Sequence, residues 1–225
     1  MNTAAALAPR TAIAWGPAGL ACDAGDRPLF AGVGWQLQPG QWISLTGRNG
    51  VGKTTLLRAL AGLVRPVAGQ VQAGGRTIDP RAPRWRAGLL YLGHAAALKG
   101  SLDTTENLAT WLDLDLAPAA TPPLAPLLDR AGLARRGRVS ADRLSAGQKK
   151  RVQLARLAVS VAPIWLLDEP TNALDRDGIV LLEDLLQAHL QAGGSAVIAS
   201  HQPVGGATPT RQFDLGEFAI RRSRR

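Results

Sequence analysis

The sequence predicts an α/β fold: a parallel-sheet core with an inserted all-helical lobe. Three observations predict it. Strand and helix patterns alternate at both ends of the chain. Residues 102–160 between them are helix-rich and carry no strand pattern. The strand-like segments of the alternating parts are short apolar runs of the kind buried in parallel sheets.

Up to about residue 45 the chain reads as short strands and turns, punctuated by Gly16-Pro17, Gly25-Asp26 and Pro39-Gly40. WISLT, Trp42 to Thr46, is an apolar strand that runs into a glycine-rich loop. Thr54 to Leu63 places Leu56, Leu57, Leu60 and Leu63 at helical spacing and ends near Gly62 and Pro66. Short strand-like pieces follow at 69–71 and 77–78, then the buried-type strand GLLYL, Gly88 to Leu92. In the helix-rich region a Pro-rich break spans Ala117–Pro126. Ser145 to Ser160 reads as a long helix with basic residues and an apolar stripe at Val152, Leu154, Leu157 and Val161. IWLLD, Ile164 to Asp168, returns to strand, followed by a helix near Arg176–Gln191 and a strand at Ser195–Ser200.

Composition narrows the function classes. Hydrophobic residues at 46% and charged residues at 19% exclude a disordered chain. The lone Cys22 excludes a disulfide scaffold and a Cys-based zinc cluster. No apolar run approaches the roughly 20 residues that span a bilayer, and the first residues carry no basic region of a signal peptide. The net charge of +9 favours acidic partners: nucleotides, nucleic acid or an anionic membrane surface. Its clusters at 81–86, 135–138, 149–151 and 221–225 also fit an ordinary solvated basic surface.

Gly47-Arg48-Asn49-Gly50-Val51-Gly52-Lys53-Thr54 fits the pattern G-x-x-x-x-G-K-[ST], between a strand and a helix. Glycines let backbone N–H groups wrap phosphates, and the helix N-terminus adds positive potential. Lys53 is expected to hold the β- and γ-phosphates and the Thr54 hydroxyl to ligate Mg²⁺, with Thr55 beside it. Two acids, Asp168 and Glu169, end the strand IWLLD, where a parallel sheet opens its ligand crevice. Asp168 is expected to hold Mg²⁺ and Glu169 to act as general base toward the attacking water.

Between these motifs lies Leu144-Ser145-Ala146-Gly147-Gln148. With it, the chain resembles an ATP-binding-cassette (ABC) ATPase over about residues 12–203. Asn172-Ala173-Leu174-Asp175 is similar to that family's D-loop, and His201 to its switch histidine. The resemblance implies one ABC ATPase domain over residues 1–225. It would have a RecA-like parallel-sheet core, an N-terminal antiparallel β subdomain and a helical signature subdomain inserted at 95–160. It implies ATP and Mg²⁺ as ligands and two cassettes facing head to tail. Ser145 and Gly147 of one would then contact the γ-phosphate held by the other, and His201 would sense that phosphate.

Leu89–His94, Lys99, Glu106-Asn107-Leu108, Ala146 and Ser200–Pro203 are further similar to ATP-binding subunits of haem exporters in bacterial cytochrome c maturation. This narrower resemblance implies a separate membrane-spanning permease, a homodimer of cassettes in the complex, and a peripheral place on the cytoplasmic side of the inner membrane. An ABC ATPase for another cargo is the first alternative; a nucleic-acid-associated ABC ATPase, motivated by the charge, is the second. The single cassette and the absence of a heptad array argue against nucleic acid as partner.

Three departures from the family stand out. His94 replaces the usual Gln and, as a histidine, makes coupling to the membrane partner expected to vary with pH. Ala146 replaces the usual Gly. Ala24 stands where relatives stack an aromatic on adenine, with Arg27 as an alternative platform, so ATP against GTP stays open. Cys22, His94 and His201 have no haem-ligand spacing, and no direct haem ligation is expected. His189, among apolar helix residues, and the six scattered Trp read as structural.

Overall fold

A computed structural model of the protein describes residues 13–115, 123–201, 204–205 and 208–220. The N-terminal segment read as lacking a signal peptide, most of the Pro-rich break, Gln202-Pro203 and the basic 221–225 cluster lie outside the described residues.

Two sheets form the frame. The strands β1 (Trp15–Ala24), β2 (Arg27–Val33), β4 (Ala68–Ala73) and β5 (Arg76–Ile78) make an antiparallel sheet of order β2-β1-β4-β5. The strands β3 (Trp42–Thr46), β6 (Leu89–Leu92), β7 (Ile164–Asp168), β8 (Ser195–Ala199) and β9 (Arg211–Asp214) make a parallel sheet of order β6-β7-β8-β3-β9. Every residue of β7 and β8 is buried. That burial accounts for their unbroken apolar runs, since a central parallel strand is covered on both faces.

Among the described residues the α-helices are α1 (Lys53–Leu60), α2 (Pro83–Arg86), α3 (Thr104–Asp115), α4 (Leu124–Arg130), α5 (Ala146–Leu157) and α6 (Arg176–Gln191). The apolar residues sort into three cores. One lies between the sheets around α1 and joins Trp15, Leu20 and Phe30 to Leu45, Leu56 and Leu166. A second covers the other face of the parallel sheet, with Trp165, Leu182 and Ile198. The third belongs to the helical lobe, with Leu108, Leu112, Leu128 and Val152.

A buried polar contact ties the two sheets: the Trp15 indole N–H donates to the Ser195 hydroxyl at 2.7 Å. In the lobe, Asn107 is 3% exposed and fastens the loop before α3. It accepts from the Lys99 amide at 2.8 Å and donates to the Lys99, Leu102 and Asp103 carbonyls.

The structure shifts some sequence boundaries for local reasons. Ser145 is the cap of α5 rather than its first turn, because its hydroxyl accepts from the Gln148 amide while Gln148 returns a bond to the Ser145 amide. The helix stops at Leu157, so Val161 packs on the lobe from beyond it. β8 ends one residue before Ser200, whose buried side chain bonds the Thr171 hydroxyl at 3.1 Å. The short α2 and the edge strand β9 had no expectation attached.

Candidate active site

The loop between β3 and α1 leaves its helix end open. Gly52 occupies the cap position of α1 with φ 113° and provides no side-chain cap to the first-turn amides. A Cβ there would come within 2.9 Å of the Phe30 ring, so the turn requires glycine on steric and conformational grounds. Open amides at the positive end of a helix are an anion site. Lys53 begins this helix, is buried, and donates from Nζ to the Gly47 carbonyl at 2.7 Å. The same Nζ lies 3.4 Å from His201 Nε2.

The carboxylates come from the end of β7. Asp168 is 2% exposed, and its Oδ1 accepts from the Thr54 hydroxyl at 3.1 Å. Its Oδ2 is buried with no hydrogen-bond partner. A buried carboxylate oxygen left bare is costly, and beside a hydroxyl and a phosphate loop it forms a donor set suited to a hard cation such as Mg²⁺. Glu169 is also buried, with φ 50°, a backbone conformation that side-chain-bearing residues rarely hold. Its amide donates to the Ala199 carbonyl at 2.8 Å, which fixes the turn to the neighbouring strand. Its carboxylate meets His201 twice, at 3.4 Å from Nε2 and at 3.4 Å from the backbone amide.

These groups share one cavity of about 580 Å³, within the usual range for small-molecule sites of roughly 300–1,000 Å³. Ala24, Arg27 and Leu29 line one end. Arg48, Asn49, Gly50, Gly52, Lys53, Thr54 and Thr55 line the phosphate-loop side. Asp168, Glu169, His94, Asn172 and His201 complete the wall. Gly47 takes part through its carbonyl bond to Lys53, while Val51 packs against the core instead. Such a wall offers amides and ammonium to an anion and two carboxylates to a cation or to water.

Ser145 and Gly147 are not among the residues lining this cavity. They sit at the start of α5, against the turn that follows Glu169: a Cβ on Gly147 would lie 2.5 Å from the Ala173 carbonyl. Asn172 was noted in the sequence only as part of a loop, yet it lines the cavity; its three-residue spacing from Glu169 was the available signal. Cys22 is fully buried, with burial pushing its thiol up to about 11. His189 lies flat on Trp165 with ring centres 3.8 Å apart. Both side chains are packed into the fold.

Phosphate loop, strand-end acids and a helical lobe on one parallel sheet define an ABC-type ATPase. A family profile described as ABC transporter matches residues 30–172, and the chain belongs to that family of ATP-binding proteins. Membership implies a membrane permease as partner and pairing of cassettes. The chain is 42% identical over 185 residues to the cytochrome c biogenesis ATP-binding export protein CcmA of Haemophilus influenzae, covering 82% of this chain and 87% of that one. It is 41% identical over 203 residues to the CcmA protein of Pseudomonas putida, covering 90% and 96%. A putative ABC transporter ATP-binding protein from Pyrococcus furiosus has the same fold, with a TM-score of 0.77 at 19% identity over 92% of this chain and 100% of that one. Among the described residues no helix is long and apolar enough to cross a membrane.

Proposed function

We propose that this chain is the Mg²⁺-dependent ATP-hydrolysing subunit of an exporter for cytochrome c biogenesis, with haem or a haem-related compound as cargo. The observation that carries the catalytic reading is the meeting of Lys53, Thr54, Asp168, Glu169 and His201 on one cavity wall. The likeness to the CcmA proteins supports the cargo.

The amides of residues 47–54 wrap the phosphates, and Lys53 holds the β- and γ-oxygens. Thr54 and the bare Asp168 oxygen would hold Mg²⁺, which would supply neutralisation of phosphate charge. Glu169 orients water and accepts its proton. His201, bound between Glu169 and Lys53, reads the presence of the γ-phosphate. Ser145 and Gly147 face the nucleotide of a second copy of the chain, and His94 links the cavity to the helical subdomain at 95–160. ATP closes the pair, hydrolysis reopens it, and a membrane-spanning permease turns the motion into transport. The subunit lies on the cytoplasmic face of a bacterial inner membrane, held there by its partner.

The test is mild-detergent purification from native membranes with mass spectrometry of co-purifying chains, with and without Mg-ATP. A permease together with other cytochrome c maturation subunits is expected. Recovery with a permease of unrelated cargo would replace the cargo assignment, and recovery only with ribosomes or DNA would overturn the transporter reading.

A further inference from the structure

A second cavity, of about 430 Å³, adjoins the first and shares two wall residues with it, His94 and Asn172. Its remaining wall comes from the 95–98 segment, Ala141 and Asp142, the first turns of α5 and Ala173. What marks it is Lys150. This residue lines the cavity and is 7% exposed. Among the described residues no hydrogen bond or ion pair reaches its ammonium.

The residue is buried as a whole while it lines the cavity, so a small anion entering there is an available partner for its ammonium. The position on α5 explains how it is held there. Lys150 shares a helix face with Gln153, Leu154 and Leu157, three, four and seven residues on, and all three are buried. The Lys150 stem is therefore packed like a core residue, and only its head meets the cavity. Lys149 lines the same wall, and the positive end of the α5 dipole opens on it at Ala146. The negative groups nearby are Asp142, an exposed wall residue, and the more distant Asp168 and Glu169, which act on Lys150 through space without an ion pair.

We propose that the Lys150 cavity is a second oxyanion site, which receives the inorganic phosphate released by hydrolysis. This rests on reading the phosphate-loop cavity as the hydrolytic site. The shared wall gives the ion a short polar route: it leaves Glu169, passes the ring of His94 and the amide of Asn172, and meets Lys150. An ammonium is a point charge with rotatable donors, suited to an ion that arrives in no fixed orientation.

The experiment titrates inorganic phosphate into the full chain already saturated with Mg²⁺ and a non-hydrolysable ATP analogue, which fills the phosphate loop. Calorimetry reads the binding. The wild type is expected to bind one phosphate per chain at millimolar concentration. Lys150→Met is expected to weaken that binding by about tenfold or more, the effect of removing one charged hydrogen bond. Lys150→Arg should retain it, and all three chains should bind the analogue alike, which verifies folding. Equal phosphate affinity in wild type and Lys150→Met, or no phosphate bound by the wild type, would overturn the site. Failure of the wild type to bind the analogue would overturn the reading of the phosphate loop itself, and this inference with it.

Discussion

Arg151 on α5 is bonded to Asp175, the residue that caps α6, with Nη2 2.5 Å from Oδ1. Its other terminal nitrogen donates to the Ala131 carbonyl at 2.9 Å, just past α4. One guanidinium in the middle of α5 thus ties together the end of α4 and the start of α6. The Gly178 amide, and then Arg151, hold the Asp175 carboxyl below its usual value of 3.8. A lowered carboxylate stabilises the fold above the unfolded value, and that stability is lost as pH falls through the folded one. Asp175→Asn is therefore expected to lower the urea midpoint at pH 7, with the gap to wild type closing in acid below pH 3.8. A gap that stays constant with pH would show that the charge contributes nothing.

His189 predicts a second acid transition. Burial pushes this imidazole from 6.5 to about 4, against the opposing bond from its Nε2–H to the Ser195 carbonyl at 3.2 Å. The folded state holds the neutral ring, so the unfolded chain binds the extra proton. Stability is full above pH 6.5 and falls as pH drops toward about 4, by about 3 kcal/mol in all. His189→Phe keeps the stack on Trp165 and removes the proton. It is expected to flatten the urea midpoint between pH 6.5 and 4, measured beside the wild type.

Glu169→Gln is expected to slow ATP turnover by about a hundredfold or more, the scale of a lost general base. The variant should still bind ATP and accumulate as a closed pair. Light scattering with and without Mg-ATP reads this directly. A monomer in the presence of ATP would contradict pairing driven by the nucleotide.

The base end of the cavity has Ala24, Arg27 and Leu29 and no aromatic ring. Weak discrimination between ATP and GTP is the expected outcome, with the Arg27 guanidinium as stacking plane. Ala24→Tyr should tighten ATP binding by about tenfold, since a base stacked on an aromatic ring contributes about 1–3 kcal/mol. Competition of unlabelled ATP and GTP against a fluorescent analogue measures both.

The parts of the fold legible in the sequence were those with strong local signals. β7 is a continuous apolar run, and the phosphate loop needs its glycines in sequence. β9 was not legible, because only Phe213 of its four residues is buried and an edge strand has no apolar run to show. Lys150 was hidden in the basic run Lys149-Lys150-Arg151, which reads as a solvated face. Its spacing to Gln153, Leu154 and Leu157 held the information, but charge outweighs periodicity in such a reading. The gathering of His94, Asn172 and His201 with the acids is long-range, set by strand order and invisible to local patterns.

The absence of Ser145 from the wall around Lys53 has a genetic consequence. If every working site joins the phosphate loop of one copy to α5 of another, defects in the two halves are complementary. Co-expression of a Lys53→Ala chain with a Ser145→Arg chain assembles mixed pairs in which one site carries both lesions and the other neither. Two alleles that are each inactive alone would then restore activity when brought together in one cell, because each randomly formed mixed pair keeps one intact site of its two.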